Sequence, residues 1–403
     1  MEGKQGRRTV KRVRLSVGDV AACQDIVIPE HWSSAAEAVA SHQGNPPIVV
    51  VCGPKNSGKS TFARFLVNTL LTSRHKMVGY LDTDVGQPEY TPPGCLSLHI
   101  IDRPNHDLAT PRLRNPESRC FFYGDISSKS DPRAYIACVT DLYDDFYEKH
   151  HRGSSGICGE ACSPLVVNTP GWVKGVGYHI LVDTLTHMAP THVIQLRTSE
   201  PDKNLPTGAF WLRGDQEAMV DLINVDAAKQ DVLSRSVIVQ KHARLLRELR
   251  TVAYFRQCLP SEQNIDKYKE LAYALAAHPP YEISISKVKV VHLHCQVPDS
   301  ELFYSLNATI VGLASSSAGK TYMGTSLPLC VGLGIVRGID TEKGVYYVLT
   351  PVPASLLLKV DLFLQGHVEI PTNLLQVRGC LSPYMSTNFI SVTKNFREGS
   401  HTA

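Results

Sequence analysis

The chain has 403 residues, 43% hydrophobic and 20% charged, with 28 Gly and 25 Pro spread along it. That length allows two or three domains with cores of their own, and the composition is that of a soluble globular protein, not a disordered one. A formal net charge of +3 is too mild to mark a nucleic-acid binder by itself, so any polyanion site has to come from local clustering. No run approaches the roughly 20 apolar residues needed to span a membrane. Eleven cysteines, an odd number without framework spacing and mostly set in apolar stretches, point to a reducing compartment.

Residues 1 to 46 read as a basic N-terminal arm and a short preface. Lys4, Arg7, Arg8, Lys11, Arg12 and Arg14 are not followed by an apolar signal core, so no secretory leader is expected. The arm suits a nuclear-import signal, an RNA-contacting tail or simply a solvated end. From 47 to 278 the pattern is that of an α/β domain. Ile48 to Val51 is a β-branched run of the kind buried on both faces of a parallel sheet, and a Gly-rich turn leads from it into a helix predicted over Thr61 to Thr72. Met77 to Leu81 follows as a second strand. Leu165 to Val167 and His192 to Leu196 read as two more buried strands, with a helix from Tyr178 to Met188 between them. After a polar stretch, a further helix is predicted from Lys241 to Phe255. Residues 279 to 403 change to short strands with glycine turns: Val288 to His294, Thr309 to Ala314, Gly332 to Arg337 and Val345 to Thr350, with a hairpin turn at Asp340 to Gly344. The expected fold class is therefore α/β with a parallel sheet, plus a β-rich C-terminal domain. Cys158 and Cys162, preceded by His150 and His151, lack the second close pair of a zinc site, and their Gly/Ser-rich surroundings read as a surface loop.

The segment Gly53-Pro54-Lys55-Asn56-Ser57-Gly58-Lys59-Ser60, followed by Thr61, fits the phosphate-binding loop in full. Its glycines let the backbone turn so that successive N–H groups face a β-phosphate at a helix N-terminus. Lys59 would reach the β- and γ-phosphates and Ser60 would hold magnesium, which makes the α/β domain a P-loop NTPase core with a parallel sheet and ATP and Mg2+ the expected cofactors. Strand two then ends in Asp82-Thr83-Asp84-Val85-Gly86-Gln87. Parallel strands deliver their C-terminal ends to the edge that carries the phosphate loop, so an acid there can face magnesium, the γ-phosphate or an incoming hydroxyl. A kinase needs such an acid as its general base, whereas an Asp in that position can also serve only to cap the following turn. The strand ending in Asn168 carries no terminal Asp, so the pair at 82 and 84 has to provide the acid of the site. No guanine-reading Asn-Lys-x-Asp sequence is present.

Helical spacing over Lys241 to Phe255 puts Leu245, Leu249 and Val252 on one stripe and Arg244, Arg247 and Arg250 on the other side. Three guanidiniums on one face suit clamping of phosphate oxygens; a solvated amphipathic helix gives the same pattern.

Taken together, the phosphate loop, the stretch Asp82 to Gln87 with Thr91-Pro92-Pro93-Gly94 after it, and Asn168-Thr169-Pro170-Gly171-Trp172-Val173-Lys174-Gly175 resemble the polynucleotide 5′-hydroxyl kinases. The resemblance covers about residues 48 to 256. Within that family, Gln87 to Gly94 is closer to the nucleolar, ribosomal-RNA-processing branch than to the branch in messenger-RNA 3′-end cleavage and tRNA splicing. It implies transfer of the γ-phosphate of ATP to the 5′-hydroxyl of RNA during pre-rRNA processing, a nuclear and nucleolar address, and an endonuclease partner that leaves the 5′-hydroxyl end. It also implies roles. Asp84 matches the catalytic acid, while Asp82 is the supporting carboxylate; the magnesium expected from the phosphate loop and the acidic strand end is assigned to Ser60 and Asp84. Thr169, Gly171 and Trp172, with Gln87 and Arg244, belong to the substrate side. Gly171 permits close backbone approach, and Trp172 offers a face for a terminal base or fills the core beside the sheet edge. Arg247 and Arg250 match the arginines of a lid that closes over nucleotide. Two other functions fit the same motifs: an ATP-bound scaffold of an mRNA 3′-end or tRNA-splicing complex, and a regulatory ATPase switch.

Overall fold

The computed structural model describes residues 28–104, 118–152, 162–212, 220–228, 243–260, 265, 267–322, 325–371 and 374. The basic residues before 28, Cys158, Lys241 and the chain beyond 374 lie outside that set. Five consecutive buried residues form the first strand, β1 (Ile48–Cys52). They do not alternate with polar residues because both faces are covered. Val49 and Val51 pack towards α1 (Glu30–Ala40) and α2 (Lys59–Ser73), Val50 and Cys52 towards α3 (Pro132–Phe146) and α4 (Gly175–Met188). The remaining strands of this sheet are β2 (Val78–Asp82), β3 (Cys95–Ile101), β4 (Arg119–Phe122), β5 (Leu165–Asn168), β6 (His192–Arg197) and β7 (Asp221–Asp226). Their spatial order is β4-β3-β2-β5-β1-β6-β7, parallel from β2 through β7, with β3 and β4 antiparallel at one edge. Register sets the site: Val51 pairs with Asn168, and Asn168 with Asp82, so the ends of β1, β5 and β2 emerge in one row.

The helix expected from Thr61 begins at Lys59, directly from the phosphate loop, and the strand expected over 77 to 81 runs one residue further, to Asp82. The preface differs from its expectation. Residues 30 to 40 form α1, in which Trp32, Ala35, Ala36 and Val39 are buried at helical spacing. Trp32 meets Phe62 of α2 edge-on at 5.3 Å and donates from Nε1 to Asp226 O at 2.9 Å. This helix is therefore a layer of the α/β core. β3, β4, α3 and the polar edge strand β7 are likewise elements that periodicity alone did not bring out.

Downstream come α5 (Ala243–Arg256), α6 (Tyr268–Ala277), β8 (Tyr281–Ser284), β9 (Lys289–His292), α7 (Leu302–Leu306), β10 (Thr309–Tyr322), β11 (Thr325–Asp340), β12 (Val345–Leu349), a single turn of helix, α8 (Ala354–Leu357), and β13 (Leu362–Gln365). The six strands form a second sheet in the order β8-β12-β11-β10-β13-β9, antiparallel except where β13 meets β9. Val252 and Phe255 of α5 and Leu271 and Leu275 of α6 share one apolar cluster with Cys120 and Phe122 of β4 and with Ile310 and Leu333 of the second sheet. Helix α5 thus lies in a seam between the two sheets. Among the described residues, no helix is long and apolar enough to cross a membrane.

Candidate nucleotide and acceptor site

The loop from β1 to α2 turns at Gly58, the helix N-cap, whose φ of +93° is a left-handed conformation that favours glycine. Gly53 and Pro54 are buried and Ser57 is 2% exposed, whereas Lys55 and Asn56 face outwards. Lys59 is 7% exposed; its Nζ donates to Pro54 O at 2.8 Å, and Ser57 Oγ donates to the same carbonyl at 2.9 Å. Burial lowers the Lys59 pKa to about 8, against the opposing pull of Asp84. An anion in the loop would offer this ammonium a stronger partner than a carbonyl. Ser60 and Thr61 are half-buried in the first turn of α2.

Asp82 at the end of β2 is fully buried. Oδ1 accepts from Asn168 Nδ2 at 3.1 Å and Asp84 N at 3.3 Å, and Oδ2 accepts from Glu89 N at 2.5 Å. Burial outweighs these donors and raises its pKa to about 7. Asn168 extends the chain to the phosphate loop, its amide nitrogen and oxygen lying 3.3 and 3.5 Å from Ser60 Oγ. A hydroxyl, an amide and a carboxyl in series form a hard oxygen donor set suited to magnesium, and a cation would favour the ionised form of Asp82. Asp84 sits differently. Its Oδ1 accepts from Gly86 N at 3.0 Å and Gln87 N at 3.1 Å, which caps the turn, while among the described residues Oδ2 accepts no hydrogen bond. The turn-capping role and an available oxygen thus coexist in one side chain. Ser60 is joined through Asn168 to Asp82, which adds that acid to the pair, Ser60 and Asp84, expected to hold the metal. Gln87 is held by its backbone in this turn and is half-buried.

The segment after β5 closes over the loop. Thr169 Oγ1 donates to Val51 O at 2.8 Å, and Thr83 Oγ1 to Asn168 O at 2.8 Å, which locks the three strand ends together. At Gly171 a Cβ would lie 2.5 Å from Lys55 Cγ and 2.6 Å from Lys55 N, so only glycine allows this approach. Trp172 is half-buried and packs edge-on against Tyr135 at 5.2 Å; Tyr135 in turn donates to Thr83 O at 2.6 Å. Trp172 therefore packs on the core through Tyr135 without being fully buried.

The three arginines of α5 have separate environments. Arg244 is 73% exposed and pairs with Glu248 one turn on, at 3.0 Å. Arg247 is half-buried and forms no ion pair among the described residues. Arg250 donates to Glu89 O and to Glu89 Oε2, the latter at 3.3 Å. Glu89, with its side chain 9% exposed, also meets Arg64 of α2, whose Nε is 3.2 Å from Oε1 and whose Nη2 donates to Oε2 at 3.3 Å. Glu89 thus joins α2, the acidic loop and α5, and its amide holds Asp82. Neither Glu89 nor Asn168 stands out by residue type; the signal for Asn168 was its position at the end of a strand between β1 and β2.

A sequence profile of the mRNA cleavage and polyadenylation factor CLP1 P-loop matches residues 53–257, and one of the NOL9-like C-terminal domain matches 276–371. The polynucleotide 5′-hydroxyl-kinase NOL9 of Arabidopsis thaliana is 52% identical over 368 residues, covering 91% of this chain and 97% of that protein. The chain belongs to the NOL9/GRC3 polynucleotide 5′-hydroxyl-kinase family. The Danio rerio NOL9 kinase is 32% identical over 89% of this chain, which spans 52% of that longer relative. Wild-type Clp1p solved in complex with Pcf11p superimposes with a TM-score of 0.58 at 16% identity, covering 84% of this chain and 79% of the other, a likeness of fold alone. The NOL9/GRC3 assignment agrees with the branch read from Gln87 to Gly94, and the β-rich second sheet falls in the segment matched by the NOL9-like domain.

Proposed function

We propose that this NOL9/GRC3 family member transfers the γ-phosphate of ATP to the 5′-hydroxyl of RNA in pre-rRNA processing. The observation that carries the reading is the row formed by Lys59, Ser60, Asn168 and Asp82 at the phosphate loop, with the Thr169 to Trp172 segment in direct contact with that loop. The loop amides and Lys59 bind the β- and γ-phosphates. Ser60 and Asp82, linked by Asn168, would hold magnesium, which when bound neutralises charge on the phosphates. Asp84 Oδ2 orients the 5′-hydroxyl and takes its proton as the new O–P bond forms and the bond from γ-phosphorus to the bridging oxygen breaks, releasing ADP. Arg247, which forms no ion pair among the described residues, stabilises the transferring group, and Arg250 joins it if its contact with Glu89 is exchanged for phosphate. Trp172 stacks the terminal base, beside Gly171 and Thr169; Gln87 and Arg244 flank the path of the acceptor strand.

A 5′-phosphate end prepares RNA for later trimming, and an enzyme making it needs a nuclease that leaves a 5′-hydroxyl. An endonuclease partner, nucleolar residence and a place in ribosome biogenesis follow from this reading. Its test is the fate of the γ-phosphate with and without single-stranded RNA bearing a 5′-hydroxyl. A kinase labels the RNA and releases little phosphate without it. A switch ATPase releases phosphate regardless of RNA, and a scaffold does neither; each of these two outcomes would displace the proposal.

A further inference from the structure

At the edge of the parallel sheet opposite the phosphate loop, three segments meet. β6 begins at His192 and β7 at Asp221, paired in register, and the loop from α1 to β1 lays His42 against them. The His42 and His192 rings meet edge-on with centroids 4.8 Å apart, and His192 Nε2 lies 3.4 Å from Asp221 Oδ2. One donor atom from each residue lies within 4.8 Å of the others. Arg74 Nη2 donates to the His42 carbonyl, which fixes that backbone without occupying the ring. His192 is 2% exposed, His42 is half-buried and Asp221 is exposed.

Thr191 joins the first residues of β1 and β6: its Oγ1 accepts from Ile48 N at 3.0 Å and lies 3.1 Å from Ile48 O and 2.8 Å from His192 Nδ1. The contact at Nδ1 orients the buried imidazole so that its other nitrogen, Nε2, faces Asp221 Oδ2 at 3.4 Å. With the neutral ring protonated on Nδ1, the Nε2 lone pair and the carboxylate oxygen converge on a point that a cation can share. Bonds of about 2.0–2.1 Å to tetrahedral zinc separate neighbouring donors by roughly 3.3–3.4 Å, matching the 3.4 Å between His192 Nε2 and Asp221 Oδ2, with the His42 donor within 4.8 Å of both. Two imidazoles with a carboxylate are a donor set for first-row divalent ions, and the Thr191 hydroxyl at the far ring nitrogen would fix the orientation of His192 as a ligand.

We propose that His42, His192 and Asp221 form a divalent transition-metal site, best fitted by zinc, that is separate from the nucleotide site and leaves a fourth position for water. Bound metal ties the α1–β1 loop to the first residues of β6 and β7. It acts as a staple of the core and takes no part in phosphoryl transfer. The test is titration of the full chain, without nucleotide, with Zn2+ and Co2+. One equivalent of Zn2+ is expected to raise the thermal midpoint reversibly, and Co2+ to give visible d–d absorption without a thiolate charge-transfer band. His42→Ala and Asp221→Asn change side chains outside the buried core and are expected to weaken binding by more than the roughly 10- to 100-fold seen on losing an outer-shell partner. Their phosphotransfer in magnesium buffer should stay at the wild-type level. No saturable binding, binding unchanged in both variants, or a sulfur charge-transfer band would each overturn the proposal.

Discussion

Replacing Gly171 by alanine probes the close approach of the segment after β5 to the phosphate loop. The new methyl would sit 2.5 Å from Lys55 Cγ, 2.6 Å from Lys55 N and 2.7 Å from Lys55 Cα. Two of these atoms are backbone, so a flexible side chain cannot absorb the clash by moving aside. Ordinary contact starts near 3.4 Å, so loop and segment must separate by about 0.7–0.9 Å. Misplacement of reacting groups by about 1 Å costs on the order of 100-fold in rate, or about 2.7 kcal/mol of barrier. The displaced pieces carry Lys59 on one side and Trp172 on the other, so the loss is expected in kcat for transfer to a 5′-hydroxyl RNA. The core stays intact, because Gly171 itself is only half-buried at the sheet edge. The assay is steady-state transfer from γ-labelled ATP, with nucleotide affinity and thermal midpoint measured alongside. A variant within about threefold of wild type in kcat would refute the idea that this contact sets the geometry of transfer.

Other outcomes follow from the same network. Glu89→Gln removes the carboxylate between Arg64 and Arg250; breaking a buried pair of this kind is expected to cost about 3 kcal/mol, read as a lower midpoint in denaturant titration. Asp82, raised to about 7 from an ordinary value of 3.8, contributes stability that is fully present below 3.8 and lost as pH rises through about 7. Chemical denaturation without magnesium should therefore show wild-type stability falling across that window more steeply than in Asp82→Asn. Trp172→Ala should raise KM for RNA by roughly 5- to 150-fold, equivalent to about 1–3 kcal/mol of base stacking, with ATP affinity unchanged in equilibrium binding.

The phosphate loop was legible because anion binding by consecutive backbone amides forces its residues to be contiguous, and the buried parallel strands were legible because both faces demand apolar side chains. Helix α1 was obscured by the basic residues before it, although Trp32, Ala35, Ala36 and Val39 carry the helical spacing. Strand β7 reads as polar because it is an edge strand with exposed Asp221 and Asp226. Asn168 and Glu89 acquire their roles only when distant segments meet: Asn168 joins Ser60, 108 residues away, and Arg250 reaches Glu89 across 161. No local pattern encodes such contacts. The different surroundings of Asp82 and Asp84 were hidden for a related reason: strand alternation would put residues two apart on one face, but β2 ends at Asp82 and Asp84 belongs to the turn that follows.

Single-turnover transfer of γ-labelled phosphate from ATP to a 5′-hydroxyl RNA, comparing wild type with Lys59→Ala and Asp84→Asn in magnesium buffer, addresses the central claim most directly. A kinase built as proposed labels the RNA with wild type and loses labelling in both variants, while Asp84→Asn still binds ATP. Absence of label with wild type while ATP is bound, or full labelling by Asp84→Asn, would contradict it.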